Sequence, residues 1–220
     1  MDDMWMMAGM VGASYLLGAV PFGFLLARTR GVDIRKVGSG NIGATNVFRS
    51  VGKSWGVLTF ICDLLKGFLP VFLFPLLWGK TGGAMTLDAP VALVCGVAAI
   101  MGHNWPVYLG FKGGKGVATS AGVLLGLAPA SVGIGVLVWL AAFLISRYVS
   151  VASIVAAVAV AASGWLFYHG DGWLRPAALA LLAALTIVRH KSNIRRLLAG
   201  TEHRFEFRRG RPRPDASKSS

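Results

Sequence analysis

Residues 117–146 read VATSAGVLLGLAPASVGIGVLVWLAAFLIS, an apolar run of 30 residues without a charged side chain. A helix needs about 20 apolar residues to cross the hydrocarbon core of a bilayer, so this run suits one long span or two short ones. Pro129 stands near its middle, where a proline removes a helical hydrogen bond and clashes with the preceding turn. The number of crossings made here decides on which side of the membrane the rest of the chain lies.

The chain outside this run is also strongly apolar. Of its 220 residues, 55% are hydrophobic and 14% are charged, whereas a soluble domain has about a quarter charged. The mean hydropathy is +0.64. These values predict an all-α, polytopic integral membrane protein with no room for a second soluble domain. Further spans are predicted at residues 5–27, 55–78, 89–105, 151–167 and 176–188.

The uneven positive charge predicts the topology. The net charge is +13, ten of the 22 Lys and Arg residues lie at or beyond Arg189, and six more lie between Arg28 and Lys53. Basic clusters beside apolar spans mark the cytoplasmic side of a membrane, which is a simpler explanation than binding to nucleic acid. Both clusters are cytoplasmic only if residues 117–146 form two short spans hinged at Pro129. The sequence therefore predicts seven transmembrane helices, some of them short, with the N-terminus outside and the C-terminus inside.

The fourth predicted span has about 12 residues, or 18 Å, so it is expected to be tilted or to cross the bilayer partially beside a polar cavity. Residues 1–207 are predicted to form one membrane-embedded domain, and residues 208–220 a basic, disordered cytoplasmic tail. The start Met-Asp-Asp has no basic segment, which argues against a cleaved signal peptide. Cys62 and Cys95 lie inside apolar runs and indicate neither a disulfide nor a metal site, and no cofactor is predicted.

Residues 110–116, which follow the third predicted span, form a glycine-rich segment with two lysines, called the glycine loop below. Glycine lets the backbone turn its amide N–H groups toward one point, and the lysines add positive charge, so the loop suits a phosphate. A flexible basic turn between two membrane helices is the simpler alternative. The candidate phosphate-binding residues are Lys112, Gly113, Gly114, Lys115 and Gly116.

Two nucleotide-binding motifs are not supported. A P-loop has a glycine five residues before its Gly-Lys pair and a Ser or Thr after it, whereas Leu109 and Gly116 occupy those positions here. The stretch GSGNIG at residues 38–43 matches G-x-G-x-x-G, but no strand precedes it and no βαβ unit surrounds it.

Residues 38–49 instead offer hydroxyl, amide and guanidinium groups on an open backbone. Such groups suit a phosphate or a polyol, although an ordinary surface turn is favoured for this stretch taken alone. The candidate binding residues are Ser39, Asn41, Thr45, Asn46 and Arg49.

The stretch after the last predicted span carries a histidine among basic residues. A helix leaving the membrane would put Arg189, His190 and Asn193 on one side, and a histidine can orient or deprotonate a hydroxyl. The alternative is an anchor of basic residues at anionic lipid headgroups, and it is favoured for Arg195 and Arg196.

Two ionisable residues lie inside the second predicted span. Asp63 and Lys66 are three residues apart, about 12–15 Å into the span, and such groups are candidates for function. Opposite charges on one helix face also neutralise each other and stabilise packing, and this structural interpretation is favoured. His103, alone near the end of the third span, is more typical of a hydrogen-bonded helix-end histidine than of a catalyst.

Three of these stretches together resemble one family. They are GSGNIGATNV at 38–47, GFKGGKGVAT at 110–119, and the Arg-His, Asn-Ile and Glu-His pairs within 189–203. DLLKG at 63–67 and RYVS at 147–150 match as well. In this order, and over nearly the whole chain up to Phe205, they resemble the bacterial acyl-phosphate:glycerol-3-phosphate acyltransferases, the PlsY family.

The resemblance implies a seven-span enzyme of the bacterial inner (plasma) membrane, with its N-terminus outside and its active site facing the cytoplasm. Such enzymes transfer a fatty acyl group from acyl phosphate to the 1-hydroxyl of glycerol 3-phosphate, giving lysophosphatidic acid and phosphate for phospholipid synthesis. The implied partners are glycerol 3-phosphate, acyl phosphate, membrane lipids and the soluble enzyme that makes the acyl phosphate.

The resemblance also implies roles for individual residues. Direct attack without an acyl-enzyme is expected, because acyl phosphate is already activated and no Ser-His-Asp arrangement is evident. The base is His190 or a phosphate oxygen of the substrate. Glu202 is expected to hold an arginine, and Asp63 and Lys66 to be structural. The expected catalytic residues are His190, Asn193, Ser39 and Lys112; the expected phosphate-binding residues are Arg49, Lys112, Gly113, Gly114, Lys115, Gly116, Ser150, Asn41, Thr45 and Asn46.

Two other classes of protein also use basic, glycine-rich elements. A transporter of a phosphorylated solute would place them near the bilayer midplane and often shows inverted repeats, whereas these motifs lie at one predicted face and no repeat is visible. A lipid-binding scaffold needs the charge but not the Gly-Gly-Lys-Gly spacing.

Overall fold

The computed structural model describes residues 2–80 and 90–206, and within these ranges all regular structure is helical. The predicted all-α class is therefore confirmed. The predicted tail at 208–220 and most of the predicted connection at 80–88 lie outside the described residues. The α-helices are α1 (Asp2–Ala19), α2 (Phe22–Arg28), α3 (Ala44–Ser50), α4 (Lys53–Lys80), α5 (Pro90–Asn104), α6 (Val117–Leu127), α7 (Pro129–Ser146), α8 (Val149–Tyr168), α9 (Leu174–Arg189) and α10 (Lys191–Leu198).

Among the described residues, five helical segments are long and apolar enough to cross a membrane. They are Met4–Arg28, Lys53–Trp78, Val91–Leu109, Pro129–Ser146 and Val149–Tyr168. Helix α6 has 11 residues and α9 has 16. The protein is thus an integral membrane protein, and the number of seven crossings and the orientation of the termini stay predictions.

The apolar run at 117–146 is divided at Pro129, as the sequence predicts. Helix α6 ends as the Ala128 N–H donates to the Leu124 carbonyl over 2.7 Å, and α7 begins directly with Pro129. The first predicted span is also divided, between Ala19 and Phe22, because Pro21 has no N–H to donate and clashes with the preceding turn.

Two short helices lie where only loops or extended helix ends were expected. Helix α3 lies within the polar segment 28–53, and its seven residues are too few to show a helical pattern in the sequence. Helix α10 is separated from α9 by a turn at His190 rather than continuing it.

Helices α4 and α6 pack with their backbones in direct contact. A Cβ atom at Gly122 would overlap the Leu64 carbonyl, and one at Gly67 would overlap the Thr119 carbonyl. Small residues permit this close approach between helices in a membrane. The packing fixes the N-terminal end of α6, which directly follows the glycine loop.

Candidate active site

Four segments distant in sequence meet at one end of the helix bundle, called the site end below. They are residues 44–50, 143–150, 190–196 and 201–206. Phe205 donates its backbone N–H to the Arg147 carbonyl over 2.8 Å. Its ring lies 6.1 Å from that of Phe48 and 5.3 Å from that of Phe143. These contacts hold residues 201–206, the C-terminal strap, across the site end. Sequence reasoning did not find this role of Phe205, because nothing local distinguishes one aromatic residue in a charged tail.

Glu202 of the strap is the centre of the hydrogen bonds at the site end. Its Oε1 accepts from Ser150 Oγ over 2.9 Å and from Asn193 Nδ2 over 2.6 Å, and its Oε2 accepts from Arg196 Nε over 2.7 Å. Burial opposes ionisation, but the hydrogen bonds from Asn193, Arg196 and Ser150 outweigh it and lower the pKa of Glu202. The expected contact of Glu202 with an arginine is thus present, and the carboxylate also joins α8 to α10.

His190 is buried in the turn between α9 and α10. Its Nδ1 lies 2.7 Å from the Thr186 carbonyl oxygen, which can only accept, so Nδ1 carries the hydrogen and Nε2 keeps a lone pair. Burial, followed by the positive charge of Lys115, lowers the pKa of His190 to about 4. The imidazole is therefore neutral at physiological pH, in one defined tautomer.

A cluster of positive charge surrounds Lys115. Burial lowers the pKa of Lys115 to about 8; the charge of Glu202 raises it, while Arg196, Arg49 and Arg189 lower it further. Arg49 is exposed as a residue, but partial desolvation of its guanidinium also lowers its pKa. Several cations held close together around one carboxylate attract a multiply charged anion such as a phosphate.

The backbone of the glycine loop is held from two sides. The Gly114 N–H donates to the His103 carbonyl over 3.1 Å, and a Cβ atom at Gly114 would overlap the His103 ring. Arg189 donates from Nε to the Gly114 carbonyl over 3.1 Å and from Nη2 to the Asn104 carbonyl over 3.1 Å. The Gly114 amide, expected in a phosphate cradle, is therefore already bonded inside the protein.

The other members of the glycine loop differ in exposure. Lys112 is exposed, whereas Lys115 is partly buried. Gly116 has φ +80° and forms the N-cap of α6, a conformation that glycine adopts without strain. Gly113 accepts from Arg189 through its carbonyl, so Arg189 supports this loop, whereas Asn193 binds Glu202 of the strap.

The polar segment 38–49 is held together by Asn46, which is 2% exposed. Its Nδ2 donates to the carbonyls of Ile34, Val37 and Asn41, and its Oδ1 accepts from the Ser39 N–H over 3.0 Å. Asn46 was expected to bind phosphate, and in this structure both polar atoms of its amide bond to the loop.

The Asn41 side chain has a similar local role, because its Oδ1 accepts from the Gly43 N–H over 2.8 Å. Thr45 and Arg49 are exposed on α3, and Ser39 is partly buried. Of the residues expected to bind phosphate in this segment, Arg49 is the one whose charge reaches Glu202.

Comparisons with known proteins identify the family. The family model described as glycerol-3-phosphate acyltransferase matches residues 8–200. The chain is 46% identical over 196 residues to the glycerol-3-phosphate acyltransferase of Aquifex aeolicus (strain VF5), covering 87% of this chain and 95% of that protein. It is 44% identical over 200 residues to the enzyme of the same name from Desulforudis audaxviator (strain MP104C), covering 90% and 96%.

Two crystal structures of PlsY (YgiH), an integral membrane glycerol 3-phosphate acyltransferase, have the same fold. The glycerol 3-phosphate form matches with a TM-score of 0.79 and 44% identity, over 91% of this chain and 96% of that one. The lysophosphatidic acid form matches with a TM-score of 0.76 and 43% identity, over 91% and 95%. By sequence and by fold, this chain belongs to the glycerol-3-phosphate acyltransferase family.

Proposed function

We propose that this protein transfers a fatty acyl group from acyl phosphate to the 1-hydroxyl of glycerol 3-phosphate, giving lysophosphatidic acid and inorganic phosphate. The observation that carries the proposal is the neutral His190 beside the cationic cluster of Lys115 and Arg49. Both substrates carry phosphate, and this end of the bundle combines charge to bind phosphate with a nitrogen lone pair beside it. The names of the relatives and the two ligand forms of PlsY support the same substrate and product.

The reaction proposed is a direct transfer. The 1-hydroxyl oxygen attacks the acyl carbonyl carbon while its proton passes to His190 Nε2 or to a phosphate oxygen of the substrate. The bond between the acyl carbon and the phosphate oxygen then breaks, and phosphate leaves with both electrons of that bond. Acyl phosphate is a mixed anhydride, so the protein supplies mainly orientation and stabilisation of negative charge, the latter from Lys115 and Arg49.

The exposed Lys112 and the strap-bound Ser150 and Asn193 complete the proposed site. Lys112 can reach a phosphate from the open side of the glycine loop, and Ser39 can donate to one through its hydroxyl. Ser150 and Asn193 are held in place by Glu202 and are proposed to contact the substrate, Ser150 at a phosphate and Asn193 beside His190.

The proposed location is the bacterial inner membrane, with seven crossings, the N-terminus outside and the site end facing the cytoplasm. The basic residues of segment 28–53 and of the chain from Arg189 onward support this orientation through the positive-inside rule. A soluble enzyme that makes acyl phosphate is the proposed source of the donor.

The test uses the purified protein in lipid nanodiscs with labelled glycerol 3-phosphate. Palmitoyl phosphate, palmitoyl-CoA and palmitoyl-acyl carrier protein are offered in parallel, and lysophosphatidic acid is quantified. The proposal expects product from palmitoyl phosphate alone, lost in Lys115→Met and His190→Ala but retained in the exposed control Lys53→Ala. Product from the thioesters would overturn the donor. No product from any donor, with the fold intact, would overturn the activity and favour a transporter of a phosphorylated solute.

A further inference from the structure

A buried ionic cluster lies inside the helix bundle, and the proposed reaction assigns its three side chains no role. Lys66 Nζ lies 2.8 Å from Asp63 Oδ1 on α4, and His103 Nδ1 of α5 lies 3.6 Å from the same oxygen. All three side chains are at most 4% exposed. Ionisable groups within membrane spans are costly, and ion pairs buried in a protein often add less stability than apolar side chains of equal size. A role in packing alone therefore does not explain the cluster.

The cluster reaches the interruption of the first span. Lys66 Nζ donates to the Val20 carbonyl over 2.8 Å. Val20 directly precedes Pro21, where the helical hydrogen bonds are interrupted, and its carbonyl accepts from the Phe22 N–H over 3.1 Å as well as from Lys66. The ammonium of Lys66 thus ties α4 to the break between α1 and α2.

The cluster also reaches the glycine loop. His103 contacts Asp63 through its ring, and the same ring packs against Gly114, where a Cβ atom would overlap it. The His103 carbonyl accepts the Gly114 N–H, and Arg189 binds the Gly114 carbonyl from the opposite side. Gly114 is the residue directly before Lys115, so its position sets where the Lys115 backbone enters the site end.

We propose that Asp63, Lys66 and His103 are positioning residues that place Lys115 for phosphate binding, by fixing the Gly114 backbone through the His103 ring and carbonyl. The inference rests on the proposed function, because it assigns Lys115 to a phosphate of the substrates. Asp63 orients His103 and Lys66 anchors Asp63, so the pair acts on Lys115 through His103 and Gly114.

The first test is Asp63→Asn, which keeps the size of the side chain and removes its charge. Displacing a charged group by about 1 Å can lower a rate about 100-fold, so kcat/KM for glycerol 3-phosphate is expected to fall by that order. The matched control is Ser163→Ala, which removes a buried 2.8 Å hydrogen bond to Ser131 between α7 and α8, far along the chain from the glycine loop. The control is expected to keep wild-type kcat/KM.

The double variant Asp63→Asn/Lys66→Met separates positioning from packing. It leaves no lone buried charge but removes the Lys66 hydrogen bond to Val20, so its melting temperature is expected to recover part of the loss caused by Asp63→Asn alone. The inference expects kcat/KM to stay about 100-fold low, because His103 still lacks its acidic partner. Recovery of both quantities would overturn the inference and leave a purely structural ion pair.

Hydrogen–deuterium exchange gives a readout that needs no substrate. The Gly114 amide is bonded to His103, so peptides covering residues 110–116 are expected to exchange faster in the double variant and at the wild-type rate in Ser163→Ala. Unchanged exchange in the double variant would contradict the inference. A wild-type protein without acyltransferase activity, but with faster exchange in the double variant, would overturn the proposed function and keep the structural link to the loop.

Discussion

Asn193 Nδ2 donates to Glu202 Oε1 over 2.6 Å and so joins α10 to the C-terminal strap. Since Glu202 also binds Ser150 and Arg196, one carboxylate orients three side chains from two helices, α8 and α10. The Glu202 carboxylate thus holds α8, α10 and the C-terminal strap together at the site end. It also makes Glu202 the residue whose loss should affect most contacts at once.

We expect Glu202→Gln to lower both stability and activity. Leaving buried donors without their charged acceptor costs about 1–3 kcal/mol. For a chain of this size the melting temperature should fall by about 2–12 °C. The control is Glu206→Gln, an exposed acid in the same strap. A melting temperature equal to that of the wild type would contradict the role given to Glu202.

The stability that Glu202 provides should depend on pH. Its pKa is lowered in the folded protein, so the contribution is fully present above the ordinary glutamate pKa of about 4.3. It is lost as the pH falls through the lowered pKa. Thermal unfolding between pH 3 and 6 should therefore show a smaller difference between wild type and Glu202→Gln at the acid end, and a constant difference would argue against this linkage.

Substrate capture should weaken in alkaline solution. The pKa of Lys115 is lowered to about 8, so its ammonium loses a proton as the pH rises through that value and binds phosphate less well. The free enzyme's pKa values appear in kcat/KM, which should fall above pH 8. In Lys115→Arg the guanidinium stays charged, so the fall of kcat/KM above pH 8 should disappear, whatever the rate of the variant at lower pH. If kcat/KM of Lys115→Arg still falls above pH 8, the fall comes from the titration of another group.

The acid side of the pH profile tests His190. With its pKa lowered to about 4 in the free protein, His190 should cause no loss of kcat/KM between pH 5.5 and 8. If Nε2 is the base, His190→Gln should lower kcat about 10²–10⁴-fold, whereas a phosphate oxygen acting as base should leave a much smaller loss. An acidic limb near pH 6.5 that vanishes in His190→Gln would show that the imidazole titrates near its ordinary pKa.

Gly114→Ala should displace the glycine loop. The added Cβ atom would overlap the His103 ring, so kcat/KM should fall about 100-fold with a smaller effect on the melting temperature. Gly133→Ala is the matched control, since a Cβ atom there meets no neighbouring atom within 4 Å. Equal activity of the two alanine variants would show that the contact between Gly114 and His103 does not matter.

The sequence by itself determined where the chain is helical in the membrane and which family it belongs to. In lipid every backbone N–H and C=O must be bonded within the segment, so an apolar run implies a helix, and Pro129 favours an interruption of its run, although Pro70 and Pro75 lie inside the continuous α4. Both properties are local. The three motifs that carry the family resemblance are local as well, so they can be recognised without knowing how the helices pack.

Only the tertiary structure decided what each polar group contacts. Asn46 was expected to bind phosphate, yet its amide bonds to the surrounding loop, because three backbone carbonyls converge on it. Asp63 and Lys66 were expected to neutralise each other, yet they also contact His103 and Val20, which lie on other helices or between them. Hydrogen-bond partners depend on which distant atoms meet when helices pack, and no periodicity in one segment contains that information.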